Sequence, residues 1–583
     1  MSPTAPSSPP IRFSLACVAL LCAAPFLQPW HRYPLTAFYS EWPAFALGLG
    51  AMAVLFERRA WTTTVVPWIA LLPFMLAALL ILHGTLGWSP YFGQALTGAL
   101  YLVWAGMLII AARALVLACG PRTVFRLVAA GLAAGALLSA LIGIVQHFNL
   151  VTPFNAYIAR PAGSAIFGNL GQSNHYAGQV ALGLFSVAFL GAGGRSAWAM
   201  VAALPLLFVL GLSGSRSVWL YLFAAFALAA WLRAVAPQDR AGRHLFISCG
   251  GFIIVYYVLQ LLVDAGWFRP PDRTVVTAVE RLFSGAESIT DRFSLWRAAW
   301  AMTLEHPLAG AGWGAFSAQY FDYMTGAAAT GSYSLFHNAH NIVLHFLAET
   351  GVIGAALLVV PVLVWAGCAV RGTHDASQWW LLAAVAELAL HSLLEFPLWY
   401  AYFLGIAALL LGIAATPAFL PRLARRGRAL ALAMAGIGAF NLATSWTDYR
   451  EFERVFHASS VQLRDSDAAE IMSRLHRNPV LTPYIELASA LPLAAEEAGL
   501  EQRLFLTERA LAFAPLATLL YRQVLLLALA DRTPQAQALL ARARHAYPDA
   551  PPEFNRDLAR LATVHPGRFR PLIESAVPVP GSR

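Results

Sequence analysis

The chain has 583 residues, of which 59% are hydrophobic and 12% charged, with a mean hydropathy of +0.61. Soluble globular proteins carry about 25% charged residues, so the composition excludes a large soluble enzyme, an intrinsically disordered chain and a disulfide-stapled secreted module. The net charge of +9 is supplied by arginine, there being no lysine. The arginines lie mostly between apolar runs or at their ends, which points to membrane topology and away from nucleic acid.

Thirteen apolar segments follow in chain order, near 12–29, 43–56, 62–83, 94–116, 123–145, 174–193, 197–212, 216–234, 245–264, 341–368, 378–394, 398–415 and 428–445. They predict an all-α polytopic membrane bundle over residues 1–445. The first segment lacks a small-x-small cleavage pattern and reads as a retained anchor. The five cysteines sit within or at the ends of these runs, as small packing residues do. If the segments alternate, Arg58, Arg59, Arg113, Arg122, Arg126, Arg195, Arg233, Arg240, Arg243, Arg371 and the Arg422–Arg428 cluster fall on one side. The positive-inside rule makes that side cytoplasmic. Residues 146–173, a long loop at 265–340 and the tail 446–583 are then on the other side, the periplasmic one in a bacterial inner membrane. The tail alternates apolar and charged residues at helical spacing. Its stretches 509–515 and 542–548 repeat at a 33-residue offset, close to a tetratricopeptide helix pair. The expectation is a helical, repeat-like domain over 446–583, a class that presents binding surfaces.

Five constellations carry chemistry. Residues 167–177, Phe-Gly-Asn-Leu-Gly-Gln-Ser-Asn-His-Tyr-Ala, place Asn169, Gln172 and Asn174 where a segment begins. Their amides can bind sugar hydroxyls or a phosphate; the alternative is a capped helix start, with Ser173 or Asn174 as N-cap. Ser213-Gly214-Ser215-Arg216-Ser217 is a tight turn whose arginine suits a phosphate or snorkels at the interface. Residues 291–300 read as an amphipathic helix, ended by the glycine-rich run 305–314; Arg292 and Arg297 there bind anionic groups or solvate a helix face. In Phe336-His337-Asn338-Ala339-His340-Asn341, His337 and His340 are three apart and would share a helix face. Metal ligation, a general base and polar interfacial histidines are all open, but no acidic or cysteine run completes a metal site. In residues 391–402, Glu395 invites an arginine partner, whereas Trp399, Tyr400 and Tyr402 also fit an aromatic belt. All five lie on the same side of the arginine-derived topology.

Together these motifs resemble the O-antigen ligase and polymerase superfamily of polyprenol-dependent glycosyltransferases. His340-Asn341, with Leu344 and Glu349-Thr350-Gly351-x-x-Gly354, resembles its His-Asn motif, 169–177 its Asn-rich motif, and Ser215-Arg216 its Ser-Arg turn. Gly168–Gln172 and Glu395–Tyr402 resemble the bacterial protein O-oligosaccharyltransferases that glycosylate pilins. The resemblance implies transfer of a whole glycan from undecaprenyl diphosphate to an acceptor hydroxyl, with no metal or other cofactor. It implies His340 as catalytic base, Arg216 and Arg292 on the diphosphate, and functional positions at Gln172 and Tyr400. Asn169, Asn174, His337, Asn341 and Glu395 complete the expected substrate-binding set. The sequence departs from many relatives at His175, to which no role is assigned.

Membrane lipids and a protein acceptor such as pilin are the expected partners. Ligation onto lipid A–core, or polymerisation of the glycan, shares the same motifs. A transporter or flippase would need ionisable residues deep in several spans, and Glu387 is one. A degenerate bundle acting as an assembly scaffold would not need the full motif set.

Overall fold

The computed structural model describes residues 8–57, 66–160, 165–194, 196–268, 286–326, 333–414, 424–457 and 465–574. Arg58, Arg59, Arg195 and Arg422, on which the orientation partly rests, lie outside them, as do parts of the 265–340 loop. In chain order the helices are α1 (Pro9–Leu21), α2 (Phe38–Ala51), α3 (Leu71–Thr85), α4 (Phe92–Cys119), α5 (Pro121–His147), α6 (Ser173–Gly191), α7 (Ser196–Leu212), α8 (Ser217–Val235), α9 (Arg240–Asp264), α10 (Ala286–Glu305) and α11 (Phe316–Met324). There follow α12 (Ile342–Val370), α13 (Ala376–Leu394), α14 (Ala401–Ile413), α15 (Ala424–Phe456), α16 (Asp465–Leu475), α17 (Thr482–Ala490), α18 (Leu500–Phe513), α19 (Ala517–Leu529), α20 (Thr533–Ala546), α21 (Pro552–Val564) and α22 (Pro566–Glu574).

Within the described residues each expected span overlaps a helix, and local chemistry sets several boundaries. Gly120, at φ +81°, and Pro121 at the first helical turn separate α4 from α5. Asp239 and Asp375 cap α9 and α13 by accepting two backbone N–H bonds each. Among the described residues, eight helical stretches are long and apolar enough to cross a membrane: 9–27, 68–85, 92–119, 121–147, 217–235, 240–264, 342–370 and 427–456. The chain is thus an α-helical multi-pass membrane protein. The other five expected spans have a physical reason to differ. Helices α2, α7 and α14 are short, while α6 and α13 carry polar residues turned into the protein: His175, Gln179, Glu387 and His391 are all buried.

The chain divides into two compact units. The first comprises residues 1–76, 101–289 and 357–447. Small residues let its helices approach closely, which is how helices associate where lipid supplies no hydrophobic drive. A Cβ on Gly183 of α6 would come within 2.0 Å of the Ala136 Cβ on α5, and one on Gly135 of α5 within 2.8 Å of the Ala23 backbone. The buried tryptophans of α13 spend their indole N–H groups inside the bundle, Trp379 on the Ala225 carbonyl and Trp380 on the Ser186 hydroxyl, both at 3.0 Å.

The second unit comprises 77–100, 290–356 and 448–583. Its core mixes loop and tail: Leu295, Phe316, Tyr320, Tyr333 and Ala348 pack with Leu504, Tyr521, Val524 and Phe554 in one cluster. The 33-residue offset reappears in the starts of α18 and α20. Its equivalent arginines do parallel work. Arg509 lies 4.3 Å over the Tyr91 ring and binds Glu486 at 2.7 Å; Arg542 lies 4.7 Å over Phe321 and pairs with Asp322.

Candidate active site

In the first unit the loop before α6 is built around two buried amides. Gln146, from the end of α5, donates to the carbonyls of Ala159 and Gly168 and accepts from the Phe167 N–H. Asn169 donates to the Leu27 and Tyr157 carbonyls, each at 2.8 Å, and accepts from the Ala159 N–H at 3.0 Å. Its amide is therefore committed within the fold. The Asn169 carbonyl in turn takes the His31 ring at 2.8 Å. Gly168 needs its glycine: at φ +58°, a Cβ would also lie 2.7 Å from the Tyr176 ring. Gln146 and His31 had no signal in the sequence, because each acts on a partner remote along the chain.

This scaffold aims Gln172 and Asn174 at one carboxylate. Glu395, buried at the end of α13, accepts from Asn174 Nδ2 at 2.7 Å and from Gln172 Nε2 at 3.3 Å. The capping alternative for Asn174 and Ser173 fails: the N-cap of α6 is Gln172, with no side-chain cap bond. His175, one residue on, is surrounded by rings. Their centroids lie at 4.9 Å for Tyr400, 5.3 Å for His391, 5.4 Å for Phe396 and 5.6 Å for Phe403. The position where the sequence departs from its resemblance is thus the packing centre beside Tyr400. Below it, His391 Nδ1 stands 3.4 Å from Glu387, both fully buried, and a Cβ on Gly178 would come within 2.5 Å of that nitrogen. In the Ser-Arg turn, Ser213 accepts from the Ser215 N–H and Gly214 adopts φ +65°; this presents Arg216, half-buried, at the start of α8.

In the second unit the His motif is not helical. His337 and His340 precede α12, so they do not share a helix face as expected. His340 adopts φ +48° and donates its N–H to Asn338 Oδ1 at 3.2 Å. Asn341 caps α12, its Oδ1 accepting from Val343 and Leu344 at 3.1 Å each. Its carbonyl oxygen is thus spent on the helix start. His340 packs edge-on to Phe336 at 5.5 Å, and His337 lies 6.0 Å from Phe513 of the tail. Although His337 presents an exposed edge, crowding by protein strips its hydration and lowers its pKa below the ordinary imidazole value, with Glu349 pulling the other way. Arg292 is half-buried on α10.

Glu349-Thr350-Gly351 closes this region. The Glu349 carboxylate accepts from the Gly314 and Phe316 N–H groups, both at 2.9 Å, and stands 3.2 Å from His345. Gly351, at φ +63°, kinks α12 where the Leu308 backbone passes; a Cβ would lie 2.3 Å from it. The glycine-rich turn and the His motif are thereby one structure, a link the sequence did not disclose. Among the described residues, no group of three or more His, Cys, Asp or Glu side chains is placed to hold a metal ion.

Residues 180–359 match the family described as O-antigen ligase, and residues 379–562 that described as virulence factor membrane-bound polymerase, C-terminal. The chain is 26% identical over 478 residues to the general O-oligosaccharyltransferase of Acinetobacter baylyi, covering 78% of each. It is 23% identical over 285 residues to the ComP-specific O-oligosaccharyltransferase of the same organism, covering 48% of this chain and 49% of that one.

Proposed function

We propose, on the premise that this chain is a relative of the bacterial protein O-oligosaccharyltransferases within the O-antigen ligase and polymerase superfamily, that it moves a whole oligosaccharide from undecaprenyl diphosphate to a Ser or Thr hydroxyl of a periplasmic or pilin protein. The observation that carries the reading is the meeting of Gln172 and Asn174 on Glu395, with Tyr400 packed on the adjoining His175. Gln172 and Glu395 belong to the two motifs through which the sequence resembles the pilin-modifying members, and they meet in one place. In this mechanism the acceptor oxygen attacks the anomeric carbon as its proton passes to His340. The bond from that carbon to the diphosphate breaks with inversion, and Arg216 and Arg292 stabilise the charge growing on the leaving group. Glu395 fixes the amides that recognise the glycan; Asn169 holds the loop that carries them. His337 and Asn341 support His340, the latter by anchoring the helix that follows it. The reaction faces the periplasm of a bacterial inner membrane.

The matches to an O-antigen ligase family and a polymerase family favour a second reading, in which the acceptor is lipid A–core or the growing glycan. The test supplies the lipid-linked donor with a pilin and, separately, with lipid A–core, using wild type and His340→Ala. Transfer to the pilin, abolished in the variant, is expected. Transfer to lipid A–core alone rejects the protein acceptor, and undiminished transfer by His340→Ala rejects the mechanism.

A further inference from the structure

Helix α10 has two apolar faces where a helix on a water-facing loop has one. Its inner face, Leu295, Ala298, Ala299 and Met302, is buried in the core of the second unit. Its outer face leaves Phe293 51%, Trp300 52% and Leu304 64% exposed, with Arg297 exposed among them. The spacing 293, 297, 300, 304 is one stripe along a helix. Leu308, just past its end, continues the stripe at 66% exposure. Such a contiguous apolar patch marks an interaction surface.

The same segment is tied to a membrane-crossing helix at a definable level. The Val352 N–H donates to the Pro307 carbonyl at 2.9 Å and the Ile353 N–H to the Leu308 carbonyl at 3.3 Å. Residues 352–370 of α12 carry no charged side chain, lie between Thr350 and Arg371, and at 1.5 Å per residue extend about 28 Å, the thickness of a bilayer's hydrocarbon core. Hydrocarbon therefore begins at Val352, the residue that Pro307 binds. Val352 and Ile353 are themselves half exposed, as lipid-facing residues of a span are. The exposed stripe of α10 is thus continuous, through Leu308, with the lipid-facing strip of α12. Tryptophan and arginine on such a stripe suit the boundary between acyl chains and anionic head groups.

We infer that α10 is an interfacial helix whose outer face rests in the lipid surface at the end of the 342–370 span. Its occupant is the bilayer itself. Phe293, Trp300, Leu304 and Leu308 enter the acyl boundary, and Arg297 lies among the head groups. The inference does not depend on the transfer reaction, so an inactive protein still tests it.

The test uses the wild-type protein in proteoliposomes with anionic lipid. A membrane-soluble carbene reagent is activated by light and its adducts are mapped by mass spectrometry. Residues 293–308 are expected to be labelled as strongly as 352–364, and well above the peptide holding Val564, which is equally exposed but sits among charged tail residues. Labelling of 293–308 no higher than that of the Val564 peptide overturns the inference. A photo-crosslinking residue at Trp300 or Leu304 then identifies the neighbour. Adducts to lipid are expected, and adducts to a second copy of the chain overturn the bilayer in favour of a self-contact.

Discussion

Glu395 shows how much one carboxylate organises. It is nearly inaccessible to solvent yet accepts from two amides at the start of α6, more than 200 residues earlier. Removing it deprives Gln172 and Asn174 of their shared acceptor, and this should disorder them together. Glu395→Ala and Gln172→Ala should each slow transfer, and the double variant should be little worse than the worse single. The expected coupling is about 0.5–3 kcal/mol, and strictly additive losses would show that the residues act apart. His340 makes a different demand. Its left-handed backbone costs an ordinary side chain about 1–2 kcal/mol, whereas asparagine visits that region readily. His340→Asn should therefore melt with wild type while losing transfer, and His340→Ala should lose both transfer and some stability. Thermal unfolding of the reconstituted variants, beside transfer rates, separates chemistry from strain.

At the scale of elements, the tail is fastened by a cluster around Glu486 on α17. Tyr91 donates to it at 2.6 Å, Arg509 binds at 2.7 Å and His476 at 3.0 Å. Burial pushes the carboxyl's pKa up, but these hydrogen bonds outweigh it and hold the group below its ordinary value. A depressed folded pKa stabilises above the unfolded value of about 4.3 and is lost as pH falls through the folded one. Hydrogen-exchange protection of α17 and α18, taken relative to the intrinsic exchange rate at each pH, should fall as pH drops below about 4, and Glu486→Gln should flatten that dependence. The cluster was invisible in the sequence, whereas the eight long apolar spans were plain. An apolar run announces itself, because lipid demands it residue by residue. Tyr91 meeting Glu486 across nearly 400 residues leaves no local trace. The same contrast divides the site. Asn174, Gln172, Glu395 and Tyr400 stand out as polar or aromatic residues at segment ends, while Gln146, His31 and the Glu349 clamp matter only through distant partners.

For the whole molecule, arginine placement remains the argument for orientation. Reporter fusions after residues 240 and 460 should report opposite compartments, with 460 on the side that carries the His motif; the same compartment for both would sink that arrangement.

The shared core of loop and tail sets a schedule for biogenesis. Tyr333 packs edge-to-face with Tyr547 at 5.3 Å and His337 meets Phe513, so the surroundings of the His motif include residues synthesised some 200 positions later. Helices emerging from the ribosome can enter the membrane one after another, but this core cannot close until translation is nearly over. A nascent or prematurely terminated chain would sit in the bilayer with the surroundings of its His motif unassembled. The surroundings of the His motif are thereby completed only when the last helices have been made.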